Sequence, residues 1–201
     1  MRLLVVNAIC FLLATSCIAS GPPVTRNDPG HPRIERKNGK PIYEIEASII
    51  VPGTLEAMAT DADEIVEGLI RSSEVRLRDQ APHVSTFYNL TVSRVYKGSI
   101  KAGTSLEFSQ FTGEYEFPDK IIRAAGSPAL TVGDRYILFL HHDVATADRF
   151  GVGDASGMFA VRKGRVQPQT TADVALAQRD LTEEDFRDRI KRVLRQAKPR
   201  A

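Results

Sequence analysis

The chain has 201 residues and a formal net charge of +2; 42% of its residues are hydrophobic and 26% are charged. Those proportions are ordinary for a globular protein, and so small a net charge argues against a dedicated polyanion binder. With no tryptophan and only five tyrosines, material for a nucleic-acid stacking surface or a carbohydrate platform is scarce, so no nucleic-acid partner is expected.

The N-terminal segment reads as an export signal. Arg2 supplies one positive charge, Leu3 to Ala14 form an apolar run broken only by Asn7, and small residues follow at Ala14, Thr15 and Ser16. The run is too short to span a bilayer comfortably, and residues 1–16 are expected to be removed. Two cleavage routes compete. Ala14-Thr15-Ser16-Cys17 resembles a lipobox, in which Cys17 would be lipidated and become the first residue; Ala14 departs from the preferred leucine. Alternatively, ordinary signal peptidase would cut after Cys17-Ile18-Ala19. Acyl chains on Cys17 would hold the protein on a membrane without a spanning helix. Cys10 and Cys17 are the only cysteines, so the domain beyond them has no disulfide, thiol nucleophile or thiolate zinc site.

Residues 17–40 read as a flexible linker, because Gly21-Pro22-Pro23 and His31-Pro32 oppose both helix and sheet. Residues 41–170 read as a β-rich domain. Tyr43, Ile45, Ala47, Ile49 and Val51 alternate as a strand, which Pro52-Gly53 ends. Thr54 is placed to cap a short helix over 54–60, with Glu56 in its first turn. Ile65, Val66, Leu69 and Ile70 form a second strand, with a bulge or bend at Ser72-Ser73. Beyond Pro82, Val84, Thr86, Tyr88, Leu90 and Val92 define the buried face of a third. Lys97-Gly98 and Ala102-Gly103 bracket a turn before Leu106 and Phe108. Gly113 to Pro128 reads as a long loop. Tyr136 to Leu140 is an unbroken apolar run, the mark of a central strand, and a hairpin turns at Lys163-Gly164.

Residues 171–201 read as a polar connection and an amphipathic helix over 182–197. Thr182 and Asp185 are spaced as a capping box, Phe186, Ile190, Val193, Leu194 and Ala197 form the apolar stripe, and the basic side is expected outward. The expected fold is therefore mainly β, a small OB-like antiparallel barrel or sandwich with peripheral helices.

Four segments resemble exported bacterial proteins related to the tissue inhibitors of metalloproteinases. They are Ala62-Asp63-Glu64-Ile65-Val66 with Gly68, Val92 to Gly98, Val132 to Leu140, and Gly157-Met158-Phe159 with Gly164-Arg165-Val166. The resemblance covers residues 62–166 and implies an OB-like barrel. In the animal inhibitors a mature N-terminal cysteine chelates the protease zinc through its amino and carbonyl groups, with disulfides holding that end rigid. Acylation of Cys17 would block its amine, and no second cysteine follows to fix it.

Catalytic motifs are incomplete. His141, His142 and Asp143, with Asp148 nearby, are the best candidates for a metal or acid–base site, although neighbouring histidines on one strand point to opposite faces. Gly151 to Gly157 lacks the third glycine of a dinucleotide loop, which Ser156 replaces, and the flanking glycines of a nucleophile elbow around Ser156. Asp61, Asp63, Glu64 and Glu67 lack the spacing of a calcium loop, and Asn89-Leu90-Thr91 is a glycosylation sequon. No cofactor is expected. The sequence points first to a non-catalytic envelope protein that binds another protein or a small ligand. A metal-assisted hydrolase using His141, His142 and Asp143, and a metalloprotease inhibitor, are the alternatives.

Overall fold

The computed structural model describes residues 35–46, 49–77, 83–144 and 147–196. The proposed signal segment, Cys17, most of the linker, Pro82 and Ala197 lie outside the described residues.

Among the described residues, eleven strands and three α-helices follow in chain order: β1 (Arg36–Lys37), β2 (Lys40–Ile45), α1 (Leu55–Asp61), β3 (Glu64–Leu77), β4 (Val84–Lys97), β5 (Ser105–Gln110), β6 (Gly113–Glu116), β7 (Ile121–Ala124), β8 (Arg135–His142), β9 (Arg149–Gly151), β10 (Met158–Arg162), β11 (Arg165–Pro168), α2 (Asp173–Leu176) and α3 (Glu183–Gln196). A short 3-10 helix, Asp154–Gly157, joins β9 to β10.

Five strands close a barrel in the order β3-β4-β5-β9-β8 and back to β3. Every step is antiparallel except β5 to β9, which pair in parallel through Ser109 and Phe150. This arrangement is compatible with an OB-like barrel. β8 carries the closure. One of its edges pairs with β3; the other pairs with β10 at Arg135–Leu138 and with β9 at Leu140–His142. Tyr136 to Leu140 are all fully buried, as expected of a strand covered on both faces.

The alternation of β3, β4 and β8 sorts side chains into layers. Val66, Ile70, Tyr88, Leu90, Val92, Leu138 and Leu140 fill the barrel interior with Phe108. Ile65, Ile137 and Phe139 point the other way, beneath the helices, where they meet Leu55 and Met58 of α1 and Phe186, Ile190 and Val193 of α3. The Phe159 ring stands 4.8 Å from Phe186 and 5.8 Å from Phe139. Burying each of the three α3 side chains contributes about 1.5–3 kcal/mol, so hydrophobic contact supplies a large part of what holds this helix on the barrel. Both expected caps are present: Thr54 Oγ1 accepts from Ala57 N, and Thr182 Oγ1 accepts from Asp185 N.

Five expectations are corrected. Gly113 to Pro128 is not a long loop: β6 and β7 form a hairpin there, in a second sheet ordered β1-β2-β7-β6. That sheet packs Ile122 and Ala124 against Val84 and the far end of β3. The strand expected from Tyr43 to Val51 stops at Ile45, because its parallel partner β7 ends opposite, at Ala124. The last residues of the expected linker, Arg36 to Lys40, turn in the β1–β2 hairpin. The expected polar connection from residue 171 is not featureless, because α2 lies within it. The expected kink in β3 falls one residue early, as a register shift between Ile70 and Ser72.

Candidate functional site

A deeply buried charge cluster lies between the barrel and α3. Glu67 is on the outward face of β3, in phase with Ile65, and is 1% exposed. Arg187, one turn into α3, grips it with two bonds, Nε to Oε2 at 3.0 Å and Nη2 to Oε1 at 2.6 Å. The Tyr96 hydroxyl donates to Oε2 at 2.8 Å, and an Arg135 guanidinium nitrogen lies 3.6 Å from Oε1. Glu183 closes the group by pairing with both Arg135 and Arg187. Burial pushes the Glu67 carboxyl up, but the bonds from Arg187 and Tyr96 and the charges of Arg187 and Arg135 outweigh it, holding the group below the usual carboxylate range. Tyr96 is pushed up by burial and by its bond to Glu67. Fork-to-fork contact of this kind fixes orientation as well as adding energy, so the cluster sets the register of α3 on the barrel.

This arrangement departs from the expectation that the basic side of the helix faces outward. Arg187 turns inward, and Glu67 is the most deeply buried of the acids Asp61, Asp63, Glu64 and Glu67. The available signal was the phase of Glu67 on an otherwise apolar strand face.

The neighbouring Tyr96-Lys97-Gly98 turn is also occupied by internal work. Lys97 Nζ donates to the carbonyls of Ala59, Thr60 and Ala62 at 2.9, 3.1 and 2.5 Å, placing a cation on the C-terminal end of α1. Gly98 has φ +103, and a Cβ there would come within 3.0 Å of Glu64 Cγ. Glu64 in turn receives Arg149 Nε at 2.7 Å, tying β3 to β9. Asp134, in the turn before β8, holds Arg162 of β10.

The histidine candidates do not converge. His141 and His142 both remain within β8, so their side chains leave opposite faces. His141 Nδ1 is 2.8 Å from Asp63 Oδ2, which also accepts from the His142 backbone N–H at 2.8 Å. The Phe150 ring lies edge-on to His141, 5.2 Å away. Asp143 donates its backbone N–H to the Asp148 carbonyl, closing the β8–β9 hairpin. Among the described residues, no three His, Cys, Asp or Glu side chains are grouped to hold a metal ion. Ser156 is buried in the 3-10 helix. Asp154, which begins it at φ +51, accepts from Ser127 and from the backbone N–H groups of Ala155 and Phe111; burial nevertheless pushes its carboxyl up.

Two surface features are open to partners. The first is apolar. Ile49, Ile50 and Val51 stand exposed before α1, Ile50 by 93%. The segment is seated on the barrel: Val51 Cα and Pro52 Cδ lie 3.3 and 3.1 Å from where a Cβ on Gly153 would be. Phe150, three residues earlier on β9, is also exposed. The second is a groove of about 420 Å³ between α1 and α3, lined by Glu56, Leu181, Asp185, Asp188, Arg189 and Arg192 among others. Among the described residues no helix is long and apolar enough to cross a membrane. No protein-family model matches the chain, and no curated protein sequence matches it.

Proposed function

We propose that this chain is a non-catalytic protein of the cell envelope, exported by its N-terminal signal and freely released or lipid-anchored at Cys17, whose barrel presents a binding surface to another protein. The observation that carries the reading is the run Ile49-Ile50-Val51, exposed on a closed barrel and seated against Gly153. Exposed aliphatic side chains in sequence cost solvation unless they serve contact. The charges nearest the motif residues are consumed by the fold: Glu67, Tyr96 and Lys97 hold helices, and Glu64 holds β9. A rigid support of this kind favours binding, since little order remains to be lost on association.

The likeness of residues 62–166 to exported relatives of the tissue inhibitors of metalloproteinases belongs to this reading for its barrel and its export. Inhibition itself would require the Cys17 amine to be free and fixed. The hydrolase alternative would require His141 to give up Asp63 and meet His142 on one side of β8.

The test is comparative capture from envelope extract. The wild-type chain and an Ile49→Ser, Ile50→Ser, Val51→Ser variant are used as baits. A protein retained by the first and lost by the second is the expected result. Identical captured sets would refute the reading. Stoichiometric transition metal in the purified chain, lost in His142→Ala, would overturn it in favour of the hydrolase.

A further inference from the structure

The near-neutral net charge conceals a division along the chain. From Arg189 onward the last thirteen residues hold six cations and no acid, which leaves −4 for the 188 residues before them. At 100° per residue, Lys191, Arg192 and Arg195 fall within an arc of about 100° opposite the buried Phe186–Ile190–Val193 stripe. All three are exposed. Lys191 pairs with Asp188, and Arg195 bonds the Lys191 carbonyl. Arg189 and Arg192 share the α1–α3 groove with Asp185, Asp188 and Glu56. The sequence continues with Lys198 and Arg200. Complementing the helix dipole accounts for cations in the last turn, but not for six in succession without an acid.

We propose that the C-terminal half of α3 is an electrostatic docking surface for a phospholipid membrane bearing anionic headgroups. The chemistry of the patch selects this occupant. Its described outward cations are long, flexible and separate, with no buried fork to fix a single carboxylate. No aromatic side chain stands among them to anchor a protein partner or stack a base. The apolar face of the helix is already used against the barrel, so contact is with headgroups and involves no insertion. Anionic membranes attract juxtaposed basic clusters of this size, with an effect of about fivefold in affinity per Lys or Arg. The attraction falls off within a Debye length. Combined with an acyl chain on Cys17, the patch would supply the second of the two signals that stable anchoring needs.

Residues 34–201 form one compact unit containing all three cores, so this leaderless chain is the sample. Its sedimentation is measured with vesicles of phosphatidylcholine alone and with vesicles containing phosphatidylglycerol. Binding only to the anionic vesicles, reversed by salt, is expected. Lys191→Gln, Arg192→Gln and Arg195→Gln together should weaken it about 100-fold with an unchanged circular dichroism spectrum. A control variant with Arg94→Gln, Lys101→Gln and Lys163→Gln, at exposed positions elsewhere, should retain it. Equal loss in both variants, equal binding to the two vesicle types, or tighter binding to duplex DNA than to the anionic vesicles would overturn the proposal.

Discussion

Replacing Arg187 by methionine probes the clamp between α3 and the barrel. The substitution keeps most of the apolar stem and removes the two bonds to Glu67. The carboxylate would remain 1% exposed, with only the Tyr96 hydroxyl and an Arg135 at 3.6 Å. Breaking a buried pair by deleting one partner costs about 3–5 kcal/mol. The lower end applies here, because Arg135 is in position to move closer. A loss of about 3 kcal/mol lowers Tm by roughly 6–12 °C for a domain of this size. Converting Glu67 to methionine as well removes the stranded charge, so the double variant should recover most of the loss. The pH dependence must also change sign. In the wild type the Glu67 carboxyl is held below its ordinary 4.5, so its contribution is present above about pH 4.5 and is lost as pH falls through the lowered value. In Arg187→Met the uncompensated burial raises that group instead, and stability should fall as pH rises through the raised value. Urea denaturation of the wild type, Arg187→Met, Glu67→Met and the double variant across acid pH measures all of this. A single-variant loss under about 0.5 kcal/mol, or a double variant as unstable as the summed singles, would refute the clamp.

Substitutions at three further positions test other supports. Lys97→Met should cost about 1.5–3 kcal/mol, the scale of hydrogen bonds that involve a charged group, and speed amide exchange in α1 more than in β8. Gly68→Ala should cost about 3 kcal/mol, since its Cβ would lie 2.4 Å from the Thr91 carbonyl oxygen and 2.7 Å from Leu90 Cγ, both in the barrel wall; thermal unfolding measures it. Asp154→Ala should be less stable than Asp154→Gly by about 1 kcal/mol, because both lose the Ser127 bond but only alanine is strained at φ +51.

The parts of the fold readable in the sequence were those specified by local pattern. Thr54 and Thr182 announced α1 and α3 through their caps, the apolar run at Tyr136 identified β8, and Lys163-Gly164, both at positive φ, marked the last hairpin. The strands β6 and β7 were not readable. Each is four residues long, and they are held by the parallel β2–β7 pairing across nearly eighty residues of chain, a contact no local periodicity encodes. The end of β2 was missed for the same reason: alternation continues to Val51, but the partner strand does not. The Glu67 cluster was obscured by distance, its two main partners being 120 residues apart. Expecting the whole basic side of α3 to face outward overlooked Arg187, which lies at the margin of the apolar stripe and turns to Glu67. The histidines are the converse case: the opposed faces inferred from their adjacency are those they occupy in β8.

Every layer described above depends on the barrel closing between β5 and β9, because that step sets β9, Gly153 and the Ile49–Val51 rim against the core. The direct measurement is nuclear magnetic resonance on residues 34–201, reading cross-strand Overhauser contacts and amide exchange. The account predicts a contact between Ser109 and Phe150 in parallel register, together with slow exchange in β9. An absent contact, with β9 amides exchanging as fast as exposed loop residues, would contradict it.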